Sequence, residues 1–329
     1  MKTKQLTTIF CIIIMCFIGC AGSGKGAKKT GNMPANSAYT GEAPVVYMTT
    51  DISPAGLAAI YNALERKASG KVAVKLSTGE PGGHHFLDPN LIKNLVQSVN
   101  GTIVECNTAY GGRRTNAAMH KQVAIDHGFA AIAPVDIMDE NGDIPLPVTK
   151  GRNISENFVG ANFSNYDFYL VLSHFKGHQS GGFGGALKNI SIGIASSTGK
   201  RWIHTGGTSK TGFRGEQIPF LESMAEAAGS VMDSLGEHIM YINVMNHLSV
   251  DCDCSSNPAP PEMDDIGILG SLDPVALDRA CVDLIYKADT QRSASLRQRI
   301  ESRNGTHILD HAQALGLGTQ EYTLVMIDN

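Results

Sequence analysis

No excess of basic charge marks this sequence: 27 lysines and arginines stand against 31 acidic residues, giving a net charge of −4 and a pI near 6.2. Nucleic-acid-binding domains need a basic face to neutralise phosphates, so that class of partner is excluded. Internal repeats are absent. So are the two common phosphate motifs. A P-loop needs a glycine, four residues, then Gly-Lys-Ser/Thr, so that backbone amides surround the phosphates and the hydroxyl reaches magnesium. Here Gly193 and Gly199-Lys200 are separated by five residues, and Arg201 stands where the hydroxyl should be. The dinucleotide fingerprint must open the first helix of a βαβ unit and be followed, about twenty residues on, by an acidic ribose partner. Nothing suitable lies near Lys210.

Long apolar runs are scarce as well. Leu6 to Ile18 is too short to span a bilayer as a mature helix, and with Lys2 and Lys4 before it and Gly19-Cys20-Ala21 after it, the segment reads as an export signal. Phe17-Ile18-Gly19-Cys20 resembles a bacterial lipobox, with Phe17 in place of the usual leucine. The resemblance implies a signal peptide over 1–20, lipidation of Cys20, a flexible tether over 21–43, and an exported, membrane-anchored protein facing the periplasm or cell exterior. Cleavage nearby without lipidation is the alternative, which changes anchoring but not export.

With 329 residues the chain is long enough to bury a full core. Strands are predicted at Val45–Met48, Lys71–Leu76, Thr102–Cys106 and Phe129–Val135, separated by helices at Pro54–Ser69, Pro89–Val99 and Asn116–His127. Later come strands at Phe168–Leu172, His238–Met245, Ile266–Leu269 and Tyr322–Ile327. Helices are predicted at Gly215–Gly236, Pro274–Lys287, Ser293–Ser302 and His307–Leu315. The alternation predicts an α/β fold: a parallel or mostly parallel sheet flanked by helices, with the loops after Leu76, Cys106 and Leu172 converging on one edge. Residues 44–329 are read as this α/β domain, with a break into two sub-domains near 136–166 as the alternative.

The stretch Ser173 to Thr205 organises the rest. It follows an apolar strand and places His174, Lys176 and His178 beside Gly181, Gly182, Gly184 and Gly185. Glycine admits positive φ and close backbone approach, so paired glycines mark a loop shaped around something. A polar loop at the end of a buried strand is where open α/β sheets place ligands. A surface connection that happens to carry two histidines is the bland alternative. A second such loop, Ser77 to His85, carries His84 and His85, which either line the site or lie exposed.

Beyond residue 20 the cysteines are Cys106, Cys252, Cys254 and Cys281. Cys281 sits on a predicted helix as a small core residue. Bridging Cys252 to Cys254 would close a strained ring. Each follows an aspartate, so the pair is suited to binding a metal through thiolates and carboxylates, with His247 as a possible third ligand. Without a cation those aspartates raise the thiol pKa. A metal-free structural role is the alternative.

Four separated segments resemble the family called domain of unknown function 362, often labelled iron–sulfur centre proteins. They are His174-Phe175-Lys176-Gly177-His178, Gly182 to Asn189, Asp251-Cys252-Asp253-Cys254, and Asp265 to Leu269 with Asp273 to Asp278. Many members of that family carry a ferredoxin-like insert with two four-cysteine runs shortly after the position of His204. Here His204 passes directly into the next helix, and Ser255 stands where relatives tend to have another cysteine. The ordinary four-cysteine iron–sulfur motif is therefore missing.

A more distant resemblance is to the nickel-pincer lactate racemase family. That family has a catalytic histidine, a glycine-rich loop, a cofactor-holding lysine ten residues on and a nickel-binding histidine sixteen beyond it. His178, Lys188 and His204 stand at those spacings. The family's second catalytic histidine would fall near Gly111-Gly112-Arg113-Arg114, where Arg113 takes its place.

The resemblances imply His178 and Lys188 as catalytic. Gly181, Gly182, Gly184, Gly185, Lys188 and His174 would bind a cofactor. His204, Cys252 and Cys254 would hold a metal: iron, nickel or zinc. The partners expected are a small-molecule ligand or metal, and a membrane through the N-terminal lipid. The function expected is an exported lipoprotein with a metal or cofactor site, doing redox or isomerase-type chemistry on a small organic acid. The alternative is a lipoprotein that binds a metal or ligand without turnover.

Overall fold

A computed structural model describes residues 41–251 and 259–328. Strand β1 (Val45–Thr49) leads through Ser53, whose hydroxyl accepts the Gly56 amide at 3.2 Å, into helix α1 (Pro54–Ala63). Proline needs no amide partner in a first helical turn, so the start falls where expected. The end does not: α1 stops at Ala63 rather than Ser69, because Glu65 takes φ +52 and the chain turns back beneath Tyr61, whose hydroxyl accepts the Ala68 amide.

Next come β2 (Val72–Lys75), α2 (Pro89–Ser98), β3 (Thr102–Glu105) and α3 (Ala117–Asp126). Asp88 and Asn116 cap the two helices by accepting the amides of Asn90 and Met119. The strand expected over Phe129–Val135 is instead a 3-10 turn at Phe129–Ala131, and β4 (Val135–Ile137) begins where that strand was to end. Gly128 enters the turn at φ +84, Phe129 is fully buried beside Phe86, and Ala130-Ala131 lacks the branched side chains that favour extended backbone.

Strands β5 (Asp143–Pro147) and β6 (Glu156–Gly160) pair only with each other. After β7 (Phe168–His174), the expected glycine loop is a small hairpin of β8 (Lys176–His178) and β9 (Gly182–Gly184). Helices α4 (Ala186–Ser191), α5 (Ser197–His204) and α6 (Gln217–Leu235) follow. The chain continues through β10 (Ile239–Met245), β11 (Gly267–Ser271), α7 (Pro274–Lys287), α8 (Ala294–Ser302), α9 (His307–Ala314) and β12 (Thr323–Met326).

The main sheet runs β12-β1-β11-β10-β7-β2-β3-β4 and is parallel except for β11, which lies antiparallel to β1 and β10. This is the mostly parallel α/β sheet that the alternation predicts. β7 shows why its sequence is a continuous apolar run. Tyr169 and Val171 pack on one face with Leu187, Leu221 and Ala276, while Phe168, Leu170 and Leu172 pack on the other with Leu57, Ile60 and Ile92. Cys281 lies fully buried in the first of these layers, as expected. Among the described residues no helix is long and apolar enough to cross a membrane.

Candidate functional site

Because β2, β3 and β7 are adjacent and parallel, the chain leaves their carboxyl ends on one edge of the sheet. The segments that follow them, together with α4 and α5, enclose a cavity of about 400 Å³. This is the ligand-binding position of open α/β sheets, and the volume suits a small molecule.

Helix α4 brings Lys188 to the cavity. Its first turn is held by Asp278 on α7, which accepts the Ala186 amide at 2.7 Å and the Leu187 amide at 3.0 Å, and the Asn243 side chain at 2.8 Å. A Cβ on Gly185 would lie 2.2 Å from the Asp278 carboxylate, so only glycine lets the two elements meet. Burial pushes the Asp278 carboxyl up to about 6. On the next turn Asn189 accepts a hydrogen bond from Lys75 at 2.9 Å and donates to Ser173 at 3.1 Å, which ties α4 to β2 and β7.

Lys188 keeps part of its surface open to the cavity it lines, and its amine makes no hydrogen bond to a described residue. Enclosure within the protein lowers its pKa to about 7, helped by the charges of Lys75, Lys200 and Arg114. Two of the other three lysines at the cavity, Lys75 and Lys200, are engaged by backbone carbonyls. Lys75 donates to the Leu76 carbonyl at 2.6 Å, and Lys200 to the Ala195 carbonyl at 2.5 Å. Burial brings Lys75 down to about 8.

His178 ends β8 beside Lys188. Its Nδ1 accepts the Gly181 amide at 2.8 Å, which leaves Nε2 to carry the ring proton. Burial, with Lys188 and His204 adding to it, holds this imidazole well below its ordinary pKa and hence neutral. His178 therefore offers the cavity an N–H donor rather than a basic lone pair. His204, the last residue of α5, stacks between Phe213 and Phe220 with ring centroids 4.2 and 4.5 Å away. Burial and the nearby Lys188 and Lys200 push it down to about 3. His174 donates through Nε2 to the Asn246 carbonyl at 2.6 Å, and Lys176 lies 3.0 Å from its Nδ1.

The carboxylates at the cavity are already occupied. Glu105 accepts from the Thr78 amide at 3.1 Å, pairs with His120 at 3.1 Å and faces Arg114 at 3.5 Å. Burial opposes its ionisation, but His120, Arg114 and Lys75 hold its pKa well below the usual carboxylate range. Glu80 grips Arg114 at 2.6 Å and accepts the Tyr110 hydroxyl at 2.7 Å.

The structure thus brings His174, His178, Lys188, His204, Gly184 and Gly185 to one cavity. Gly181 and Gly182 shape the hairpin turn before it. Gly182 sits at φ +83, where a Cβ would come 2.8 Å from Gly305. Cys252 and Cys254 lie outside the described residues, as does Cys20. Arg113, at the place where the racemase family's second catalytic histidine would fall, forms an exposed pair with Asp126 at 2.9 Å, and its neighbour Arg114 lines the cavity. His84 and His247 border a separate cavity, and the His85 ring lies 5.5 Å from that of His247. Among the described residues no three His, Cys, Asp or Glu side chains are placed to hold a metal ion.

Sequence reasoning missed Lys75, Glu105, Arg114, Lys200 and Asp278. Lys75 and Glu105 offered a signal: each is a charged residue at the end of an apolar strand, where a solvated face is not available.

A family model described as Domain of unknown function (DUF362) matches residues 72–283. No curated protein matches the chain. Among solved structures, the lactate racemase apoprotein from Thermoanaerobacterium thermosaccharolyticum is 16% identical, over 60% of this chain and 50% of its own, with a TM-score of 0.38. A structural-genomics target from Thermotoga maritima is 13% identical, over 76% of this chain and 58% of its own, with a TM-score of 0.39. The chain therefore spans between 50% and 58% of the length of these two structures.

Proposed function

Because this chain belongs to the Domain of unknown function (DUF362) family, and the matched segment contains every residue that lines the cavity, we propose that its function resides there: it holds a small organic acid and acts on it. One observation carries the reading. Among the described residues Lys188 is an unpartnered amine in a cavity that also holds Lys75, Lys200 and Arg114, while the nearby carboxylates of Glu80 and Glu105 are already bound by Arg114, Thr78 and His120. An enclosed positive charge needs a negative partner. A ligand carboxylate supplies one, and the Nε2–H of His178 supplies a donor to a second oxygen of the same molecule.

The same electrostatics bear on the metal or cofactor expected from the racemase-like spacing. A bare divalent cation does not fit beside Lys188, Lys200 and Lys75, since like charges repel in a low dielectric. A cofactor carrying its own negative charge fits. Lys188 would hold it and His204 would border it, and such a group would supply an electron-accepting centre when bound.

Titration calorimetry of the full chain with propanoate, inorganic phosphate and choline tests the proposal. Propanoate should bind and choline should not. Equal binding of choline, or no binding of either anion, overturns it. The second reading, binding without turnover, is favoured by the neutral, donor-only state of His178, which removes that imidazole as a base.

Export is part of the proposal and is supported by the charged start, the apolar run and the lipobox-like Phe17 to Cys20. Metabolic labelling with a fatty acid should mark the native chain and not Cys20→Ser. Equal labelling of both would remove the anchor.

A further inference from the structure

We infer that Lys188 is a nitrogen nucleophile: it forms a reversible imine with the ketone carbonyl of a 2-oxo acid whose carboxylate is held among the cavity's cationic side chains. This rests on the organic-acid reading above and names its substrate class.

The geometry supports it on three counts. Lys188 lines the cavity and its amine makes no hydrogen bond among the described residues, unlike Lys75 and Lys200, whose ammonium groups are taken by backbone carbonyls. Its position is built rather than accidental. Asp278 fixes the turn that bears it by accepting the amides of Ala186 and Leu187. Finally, the charges that act on it are those of Lys75, Lys200 and Arg114, with Lys176, His178 and His204 nearby, and the carboxylate of Glu105 at the same cavity is taken by Thr78, His120 and Arg114. Such surroundings favour the uncharged amine, which keeps its lone pair, and enclosure lowers the pKa toward neutrality to the same effect.

The step balances without any co-reactant. From the ammonium form of Lys188 and the oxo acid, a carbon–nitrogen double bond replaces the carbon–oxygen double bond. The carbonyl oxygen leaves as water with two of the three protons that the nitrogen carried, and the third remains on the iminium. The Nε2–H of His178 donates to the carbonyl oxygen and so draws electron density from the carbon under attack.

Reductive trapping tests this. The full chain is incubated with pyruvate, treated with borohydride, digested and mapped by mass spectrometry. The hydride adds to the imine carbon, so the modified peptide should gain the mass of the oxo acid less one oxygen atom. The mark is expected on the Lys188 peptide at least tenfold above any other lysine, and propanoate, which has the carboxylate but no ketone, should suppress it. The comparison is made within the native protein, so it does not depend on a variant folding. Marking spread evenly over surface lysines overturns the inference. So does a permanent adduct on Lys188 before any treatment, which would instead assign the amine to holding a cofactor. Binding of pyruvate without trapping overturns the imine and leaves the organic-acid site standing. Absence of binding by both pyruvate and propanoate overturns the site itself.

Discussion

The carboxylate of Asp278 and the amide of Ala186 lie 2.7 Å apart, 92 positions distant in the chain. This contact, with the Leu187 amide beside it, starts α4 in a fixed place and so brings Lys188 to the cavity. Asp278 does not line the cavity; it is a positioning residue. Replacing it with asparagine keeps the shape but turns one acceptor oxygen into a donor facing a backbone N–H. Asp278→Asn should cost about 1–3 kcal/mol in urea unfolding and weaken propanoate binding beyond what stability alone explains. A variant that binds normally would show that α4 is held by something else.

Lys188→Met tests the opposite pairing of effects. The substitution removes a charge from an enclosed site and keeps most of the chain length, so the folded state is relieved of a desolvation penalty. The melting temperature should hold or rise, while anion affinity falls at least about tenfold, or about 1.4 kcal/mol. A lower melting temperature with unchanged affinity would mean that Lys188 serves packing rather than ligand.

The pH dependence of binding follows from the same group. With its pKa lowered to about 7, Lys188 is an ammonium below that pH and a neutral amine above it. A carboxylate is attracted only by the protonated form, so propanoate affinity should fall as pH rises through neutrality. The bound anion stabilises the ammonium, which places the midpoint in the complex above that of the free protein. Calorimetry across this range should show the decline in the native chain and, in Lys188→Met, only a shallower one shifted upward, toward the pH of about 8 at which Lys75 loses its charge. A native profile just as shallow would remove Lys188 from the binding energy.

Two neighbouring arginines should behave unlike each other. Arg114 is buried and bridges Glu80 and Glu105, whereas Arg113 is exposed beside Asp126. Arg114→Met strands two enclosed carboxylates and should destabilise the fold by about 3–5 kcal/mol. Arg113→Met should leave the denaturation midpoint where it was, because solvent screens its pair. Equal effects in urea titrations would contradict the placement of these side chains.

Much of this architecture is legible in residue order. The apolar run of β7 announces a strand buried on both faces, and Ser53, Asp88, Asn116 and Asp273 announce helix starts that the structure places as expected. Helix ends are less legible: Leu64 to Ser69 has helix-forming residues, yet Glu65 turns left-handed because the chain must reverse into β2. Phe129–Ala131 departs from a strand for a related reason, since burying one aromatic ring outweighs the local pattern.

The local chemistry of the candidate site, from His178 through Lys188 to His204, could be marked from spacing alone because a short hairpin and two short helices keep those residues near one another. What spacing cannot express is which distant side chains close around them. Lys75, Glu105 and Arg114 reach the same cavity from two strand ends and the loop that follows β3, while Asp278 braces α4 from a helix far along the chain. Residue order determined the sheet, the cap positions and the family to which the chain belongs, since each depends on interactions within a few positions. Only the tertiary structure decided the sign of the cavity's charge and the loneliness of the Lys188 amine. Both depend on which charges a folded chain encloses together, and Coulomb energy is set by distance and dielectric, not by separation along the sequence.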